Sequence, residues 1–507
     1  MSRVVVIGHG MVGSRFVEDL TAADTAGEHL VTVLGQEACE PYNRVLLSDV
    51  VAGSRGLAAI TLPSPAHPRV SVRRGVAVRA IDRERCDVVL ADGSRVPYDH
   101  IVLATGAAAR VPTVPGLDGP DLPRGVHVLR SIDDAREIVA ATLNARRAIV
   151  LGGGVLGLEA ASGLARRDLA VTVVHPADAL MERQLDEDAS RVVESTMRRQ
   201  GVDQRVGVGA QEVVVEDGRL RRVRLTNGEV LAADLLVLSV GTVPRTDLAV
   251  GCGLDVERGV VVDAALTTSD PRIHAIGDCA QPTGGASGLV TQGWEQARRL
   301  AALLTGGDPA GTPAGRGDVV KPKTHGVDIV TMGLCGSSRA DDPTLRVVRL
   351  SDPSAGRHLE VVVRDGLLVG ATAIGSGRIG TELVTAYTRR TPLPADPAHL
   401  LLPAVAPAAT TQRDSPALVP DRATICRCNG VTKGDIRSEF ASGARTVEQI
   451  AESTGATTGC GGCTDAVCGI VDWLRAGDTP SPSDLTVRED GFTQGKHEQD
   501  RAETRAS

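Results

Sequence analysis

Short apolar runs that end in glycine turns are the dominant pattern of the sequence. Residues 4–7 are continuously apolar and lead into GHGMVG, and a helical pattern and a second apolar run at residues 30–34 follow. The same order of strand, glycine turn, helix and strand returns between residues 148 and 175. Buried parallel strands that alternate with helices have this pattern. The sequence therefore predicts an α/β fold with two Rossmann-like dinucleotide-binding units.

The order of the later runs predicts that one dinucleotide-binding domain is inserted into the other. DHIVLATGAAARVP lies between the two glycine turns, and ADLLVLSVGTVPRTD and IHAIGDCA follow the second turn. Short β-like runs with polar turns then indicate an α+β domain, and a proline-containing stretch indicates a linker. The expected boundaries are 1–115 with 232–305 for the first dinucleotide-binding domain, 116–231 for the second, 318–400 for the α+β domain, 401–422 for the linker, 423–477 for a small, mostly helical domain and 478–507 for a disordered tail.

The first glycine turn is a candidate phosphate-binding loop. Gly8, Gly10 and Gly13 form G-x-G-x-x-G directly after a strand. The first glycine permits the tight turn, the second lets the backbone approach a pyrophosphate, and the third lets helix and strand pack closely. The N-terminus of the following helix then faces the phosphates. Glu37 is expected to bind the ribose, and Gln36 precedes it.

The second glycine turn repeats the motif with Gly152, Gly154 and Gly157, and Glu159 follows two residues later. Two dinucleotide sites in one chain predict redox chemistry between two cofactors, a flavin in one domain and a nicotinamide in the other. His175 stands where an acidic residue would favour NADH, so this strand end leaves the choice between NADH and NADPH open.

Four cysteines in the small domain form the second candidate site. Cys426 and Cys428 form a C-x-C pair, and Cys460 and Cys463 form a C-x-x-C pair. A disulfide within the first pair would close a strained ring, and such a cluster in a reducing compartment indicates a metal. Four thiolates suit a [2Fe–2S] cluster or zinc, with disulfides as the third alternative. Cys463 is expected to open a helix over residues 464–475, where the helix dipole favours a thiolate.

Composition indicates the cellular compartment and disfavours some classes of partner. Aromatic residues make up only 2% of the chain, so the cores must rest on aliphatic side chains. The net charge of −8 and the lack of a basic patch disfavour nucleic acid and anionic membranes as partners. The N-terminal segment has no secretory h-region, and no run of about 18 apolar residues indicates a spanning helix. A soluble cytoplasmic protein is expected.

Several of these strings, in this order, resemble a known superfamily. GHGMVG, LATGA, GGGVLGLE, GTVPRTD and AIGDCA are similar to the two-dinucleotide flavoprotein disulfide reductases. PYNRVLLS and HPADALMERQLDED more specifically resemble the flavoprotein part of the bacterial NAD(P)H-dependent nitrite reductase large subunit and of assimilatory nitrate reductase electron-transfer subunits, over about residues 3–400. The resemblance implies that the FAD adenosine and pyrophosphate are held by Gly8, Gly10, Gly13 and Glu37, the flavin by Arg44, Thr105 and Gly106, the ribitol by Asp278, and the nicotinamide cofactor by Gly152, Gly154, Gly157 and Glu159.

The small cysteine domain resembles a second family. The cysteine spacing, CNGVTKGDI and TGCGGC are similar to the bacterioferritin-associated-ferredoxin-like domain over about residues 424–476, which implies a [2Fe–2S] cluster on the four cysteines. Many flavoproteins of the first superfamily carry a reactive cysteine against the flavin. Cys39 lies too early for that position and YNRVLLS contains no cysteine, so neither disulfide reduction nor cysteine-based peroxidase chemistry is expected.

Together, the motifs predict an NAD(P)H-dependent oxidoreductase that passes electrons through FAD and a [2Fe–2S] cluster to a separate nitrate or nitrite reductase polypeptide. A complete nitrite reductase continues into a sirohaem and [4Fe–4S] domain with a further cysteine quartet. Only Cys468 follows Cys463, so this chain is not expected to reduce nitrite alone. The alternatives are a ferredoxin or rubredoxin reductase-type donor to a monooxygenase, and a non-catalytic redox-sensing or binding module.

Overall fold

The computed structural model describes residues 1–63, 67–283, 285, 288–307, 318–336, 342–402, 416–426, 429–459 and 462–478. Two cysteines of the predicted cluster site, Cys428 and Cys460, lie outside the described residues. So do residues 403–415 of the predicted linker and residues 479–507 of the predicted tail.

A five-stranded parallel sheet forms the first dinucleotide-binding domain. Val5 and Val6 point to opposite faces of its central strand and both are buried, as expected of a sheet that is covered on both sides. Its strand Ile273–Ala275 comes later in the chain than every strand of the second parallel sheet, which confirms the predicted insertion. In spatial order the strands are Ile273–Ala275, His100–Leu103, Ser2–Ile7, His29–Gly35 and Val70–Arg74.

A second five-stranded parallel sheet carries the second glycine turn. Its central strand pairs with Leu235–Leu238, residue for residue from Ala148 to Leu151. This corrects the predicted boundary at residue 231, because an apolar run suits the centre of either sheet and does not itself specify which one it joins. In spatial order the strands are Val202–Val206, Ala170–His175, Arg147–Leu151, Leu235–Leu238 and Val126–Val128.

Small sheets join and extend these two domains. The most important is an antiparallel pair, Ala107–Ala109 with Thr242–Pro244. The first of these strands directly follows His100–Leu103 of one parallel sheet and the second directly follows Leu235–Leu238 of the other, so the pair ties the two domains together. The other small sheets consist of Val78–Asp82, Asp87–Leu90 and Arg95–Pro97; of Ala210–Glu216, Arg219–Leu225 and Val230–Ala232; and of Val260–Val261 with Ala280–Gln281.

The predicted α+β segment forms an antiparallel sheet with one helix, Gly377–Arg389, packed on it. Leu359, Val361 and Leu383 are buried between them. In spatial order the four strands are Ile329–Gly333, Leu367–Ile374, Arg357–Arg364 and Arg346–Asp352.

The small cysteine domain has its own apolar core, to which Ile436, Ile450 and Val467 contribute. Thr446 and Gln449 form the predicted capping box, since each side chain accepts a hydrogen bond from the backbone N–H of the other, at 3.2 and 3.1 Å. The elements are strands Thr424–Cys426 and Val431–Thr432 and helices Lys433–Ala441, Val447–Thr454 and Thr464–Asp478.

The remaining α-helices belong to the two dinucleotide-binding domains. Among the residues that the structure describes, no helix has the length and apolar character needed to cross a membrane. These helices are Met11–Ala23, Leu47–Ala52, Ile132–Thr142, Val155–Ala165, Glu187–Arg199, Asp247–Gly251 and Val290–Leu304, and the short 3₁₀ turns are Arg44–Leu46, Ala58–Ile60, Gly277–Cys279, Pro397–Leu400 and Pro416–Leu418.

Candidate functional site

Both glycine turns open into one cleft of about 1570 Å³. The cleft lies where the carboxyl ends of the two parallel sheets face each other, which is where ligands bind in open α/β folds. The structure thus brings together side chains that the sequence offers only as separate motifs. The predicted residues on its wall are Gly8, Gly10, Glu37, Arg44, Thr105, Gly106, Gly152, Gly154, Glu159 and Asp278.

The first glycine turn has the geometry of a pyrophosphate cradle. Gly8 has a φ of +120°, and a Cβ there would overlap the carbonyl oxygen of Ala104. A Cβ on Gly13 would overlap the carbonyl oxygen of Gly8, so this glycine lets the helix pack on the strand. At Gly10 the nearest atom to an added Cβ is Arg44 Nε at 4.0 Å, so the space above the helix start is open. These three environments fit a bound dinucleotide.

The second glycine turn repeats this geometry. Gly152 has a φ of +112° and lies against the carbonyl oxygen of Ser239, and Gly157 lies against the carbonyl oxygen of Gly152. A Cβ on Gly154 would meet no atom within 4 Å. The open space is again at the second glycine, where the motif predicts that the backbone approaches the pyrophosphate of a bound dinucleotide.

The flavin half of the cleft is the half that contains the first glycine turn, where the sequence predicts FAD. Glu37 and Arg44 form an ion pair there. Glu37 Oε2 also accepts a hydrogen bond from the Tyr42 hydroxyl at 2.7 Å, and Arg44 lies over the Tyr42 ring at 4.7 Å from its centroid. Burial raises the pKa of Tyr42, so its hydroxyl stays a donor at neutral pH. Glu37 therefore lies at the predicted strand end with its carboxylate fixed, and its contact with a ribose stays a prediction.

Arg130 is a cleft residue that the sequence analysis missed. Its Nη2 donates to Asp278 Oδ2 at 2.5 Å, and its Nε donates to the carbonyl oxygen of Ala107 at 3.0 Å. Arg44 Nη1 donates to the backbone oxygen of Arg130 at 3.0 Å. Asp278 is thus paired with a cation from the second dinucleotide-binding domain, two residues after strand Val126–Val128. No local motif marks an arginine for this position.

Glu159 is 4% exposed and forms the anion of a buried ion pair. Lys323 Nζ lies 2.9 and 3.1 Å from its two carboxylate oxygens, and Ser48 Oγ donates to Oε2 at 2.5 Å. Lys323 also lines the cleft, and the sequence analysis missed it. A buried carboxylate needs such partners because its desolvation is costly. The direct role of Glu159 toward a nicotinamide stays a prediction.

An acidic residue does lie at the end of the second nucleotide-domain strand, although it follows seven residues later in the sequence. His175 is the last residue of Ala170–His175, and its Nε2 lies 3.0 Å from Glu182 Oε2. Both residues line the cleft, together with Arg183. The sequence analysis missed Glu182, because only the turn after the strand brings the carboxylate back to the strand end.

Cys39 lies on the cleft wall, beside the flavin half. Burial and the nearby Glu37 carboxylate both raise the pKa of its thiol. A reactive cysteine needs the opposite shift, toward the thiolate. The surroundings of Cys39 therefore favour its neutral thiol. Of the other cysteines outside the predicted quartet, Cys279 and Cys335 are buried, and Cys86, Cys252 and Cys468 are partly exposed.

The two described cysteines of the predicted cluster site, Cys426 and Cys463, both contact the apolar core of the small domain. Cys426 is 1% exposed within the apolar core, and Cys463 packs against the same core. The Cys463 carbonyl oxygen accepts from Val467 N at 2.9 Å, so Cys463 stands at the start of helix Thr464–Asp478, as predicted. The dipole of this helix favours a thiolate there, which fits a cluster ligand.

Two parallel-sheet nucleotide domains, one inserted into the other and facing a shared cleft, define a two-nucleotide redox enzyme. The chain belongs to the pyridine nucleotide-disulphide oxidoreductase family, whose model matches residues 2–299. The model of the BFD-like [2Fe-2S] binding domain matches residues 424–473. These two families confirm the predicted cofactors, which are FAD, NAD(P)H and a [2Fe–2S] cluster.

Two relatives are similar to the chain over nearly its whole length. It is 32% identical to "Nitrite reductase [NAD(P)H]" of Bacillus subtilis (strain 168), over 94% of this chain and 58% of that protein. It is 29% identical to "Assimilatory nitrate reductase electron transfer subunit" of the same organism, over 95% of this chain and 61% of that protein. The chain thus spans about three fifths of the length of these relatives. Among solved structures, the covalent putidaredoxin reductase–putidaredoxin complex matches with a TM-score of 0.70 and 26% identity, over 79% of this chain and 95% of that chain.

Proposed function

We propose that the chain takes electrons from NAD(P)H through FAD and a [2Fe–2S] cluster and delivers them to a separate nitrate or nitrite reductase polypeptide. One observation supports the step from the flavin site to the cluster site within the chain. The cysteine domain is seated beside the flavin half of the cleft, where Asn43, next to Arg44, donates hydrogen bonds to the backbone of Thr458 and Gly459. The names of the two relatives support the proposed class of acceptor.

NAD(P)H supplies a hydride, FAD accepts it, and the cluster carries one electron at a time. One NAD(P)H and two oxidised clusters therefore give NAD(P)⁺, two reduced clusters and one proton. In this proposal the residues of the chain bind and orient the cofactors. The open faces of Gly10 and Gly154 admit the two pyrophosphates, and the cations Arg44 and Arg130 line the flavin half.

The test combines the purified chain, NADH and a separately purified nitrate or nitrite reductase. We expect nitrate or nitrite turnover that needs all three components, together with reduction of a dye by NADH and the chain alone. Dye reduction without any nitrate or nitrite turnover would exclude this class of acceptor. Nitrite reduction by the chain without a second polypeptide would contradict the proposed division of labour.

A ferredoxin reductase-type donor is the second candidate, because the chain is similar in fold to putidaredoxin reductase. That structure is named as a complex of two proteins, putidaredoxin reductase and putidaredoxin. The [2Fe–2S]-binding domain of this chain is instead part of the same polypeptide, at residues 424–473. The attached carrier favours the first proposal. Electron delivery to a monooxygenase at rates above those for nitrate or nitrite reductase would favour the second.

We expect the enzyme to prefer NADH, and we expect Glu182 to cause the preference. A carboxylate at the end of this strand accepts hydrogen bonds from the adenosine ribose hydroxyls and repels a 2′-phosphate. His175 holds Glu182 in that place. Glu182→Gln should lower the NADH/NADPH ratio of kcat/KM by about tenfold, which corresponds to ~1.4 kcal/mol.

The matched control for this prediction is Glu187→Gln. Glu187 lies in the first turn of the following helix, where it pairs with Arg191 at 3.5 Å, and it does not line the cleft. The control should keep the wild-type ratio in steady-state dye reduction with each nucleotide. An unchanged ratio in Glu182→Gln would show that another residue selects the cofactor.

A further inference from the structure

Asn43 connects the flavin side of the cleft directly to the cysteine domain. Its side-chain nitrogen Nδ2 donates hydrogen bonds to the carbonyl oxygens of Thr458 and Gly459, which directly precede Cys460 in the sequence. Its Oδ1 accepts from Val45 N at 3.0 Å and so caps the turn that contains Arg44. Asn43 is fully buried. One amide group therefore fixes both the flavin-side turn and the turn before a predicted cluster ligand.

Arg15 makes a second contact of the same kind. It lies on the helix after the first glycine turn, and its Nη1 donates to Asn429 Oδ1 at 3.4 Å. Asn429 directly follows Cys428 in the sequence. The Asn429 amide nitrogen donates in turn to the carbonyl oxygen of Gly455 and, at 3.0 Å, to Thr458 Oγ1. Asn429 thus links the segment after one cysteine pair to the turn before the other.

The arrangement joins the two contacts into one network. Asn43 holds the 455–459 turn from one side, and Arg15 holds the same turn through Asn429. Arg15 is itself oriented by Asp19, whose carboxylate lies 3.1 Å from its Nε. Asn43 and Arg15 both belong to the domain of the first glycine turn. The network therefore lies on the flavin half of the cleft and does not include the second glycine turn.

We propose that Asn43 and Arg15 are positioning residues for internal electron transfer, which dock the cysteine domain against the flavin half of the cleft. The inference rests on the proposed function and deepens it. The side chains accept no electrons themselves. They set the distance and orientation between the flavin site and the cluster site, on which the rate of electron transfer depends steeply.

The test uses the full-length holoprotein in two variants. Asn43→Asp keeps an oxygen that accepts from Val45 N and replaces the Nδ2 donor by an oxygen that faces the carbonyl groups of Thr458 and Gly459. Arg15→Ala removes the second contact. In anaerobic stopped-flow experiments with NADH, we expect flavin bleaching at the wild-type rate and cluster reduction slowed by about tenfold or more. Amide hydrogen exchange in residues 455–459 should increase in both variants, and the iron content should stay unchanged.

The matched control is Arg378→Ala. Arg378 lies in the α+β domain and, like Arg15, pairs with a carboxylate four residues later in its helix, here Glu382 at 3.4 Å. It should match the wild type in every readout. If Asn43→Asp does not fold, Arg15→Ala decides the question. Wild-type cluster reduction rates and wild-type exchange in a folded variant would overturn the docking role. A wild-type protein whose flavin is reduced while its intact cluster stays oxidised would instead overturn the proposed function.

Discussion

Replacing Cys463 with alanine is expected to remove the [2Fe–2S] cluster and to stop electron delivery to an external acceptor. Cys463 packs against the core of the small domain at the start of helix Thr464–Asp478. Loss of a hydrogen bond that merely orients a metal ligand costs ~10–100-fold in affinity or activity, and loss of the ligand itself should cost more than about 100-fold. Dye reduction by NADH should persist, because it needs only the two nucleotide sites.

Cys468→Ala is the matched control for this experiment. Cys468 lies in the same helix, five residues later, and is also partly exposed, but it is not one of the four predicted ligands. Iron analysis, the visible absorption spectrum and electron paramagnetic resonance of the dithionite-reduced protein report on the cluster. Wild-type iron content in Cys463→Ala, or loss of iron in Cys468→Ala, would contradict the predicted quartet. Zinc as the bound ion of the wild type would contradict the cluster itself.

The second large effect is expected at the second glycine turn, where Gly154 and Gly157, three residues apart, should differ in how substitution changes stability. A methyl group on Gly157 would overlap the carbonyl oxygen of Gly152, so the helix must move away from the strand. Gly157→Ala should lower the free energy of unfolding by about 1–3 kcal/mol and impair NADH use. A methyl group on Gly154 meets no protein atom within 4 Å, so stability should change by less than ~0.5 kcal/mol.

Gly154→Ala should nevertheless reduce kcat/KM for NADH by about tenfold or more, because the methyl group occupies the space through which the backbone approaches a pyrophosphate. Gly251→Ala is the matched control, since Gly251 is equally open but is the exposed last residue of its helix and does not itself line the cleft. Thermal unfolding separates the stability effect from the kinetic one. Wild-type kinetics in Gly154→Ala would mean that no dinucleotide binds at this turn.

The domain order was predictable from the sequence, and one boundary was not. Strand residues 235–238 carry the same apolar pattern as the strands of either sheet, and they join the second sheet through pairing with Arg147–Leu151. Hydrophobicity specifies that a strand is buried on both faces, whereas its neighbours depend on the connections that the whole chain makes. The boundary predicted at residue 231 was therefore wrong.

The candidate site divides in the same way. The glycine spacing predicted both cradles, because tight turns and close backbone approaches are properties of consecutive residues. The acidic residue beside His175 was missed, since Glu182 reaches the strand end only through the turn that follows it. The strand itself ends at His175, and the folded turn brings the Glu182 carboxylate beside that residue.

The sequence by itself determined the fold class and the two glycine cradles, because each depends on patterns among residues that are close together in the chain, and the cysteine quartet stays a prediction. Only the tertiary structure decided which charges and amides surround them. Arg130 is 148 residues from Asp278, Lys323 is 164 residues from Glu159, and Asn43 is 415 residues from Thr458. Such pairs form when separately folded segments pack against one another, and no local spacing encodes that packing.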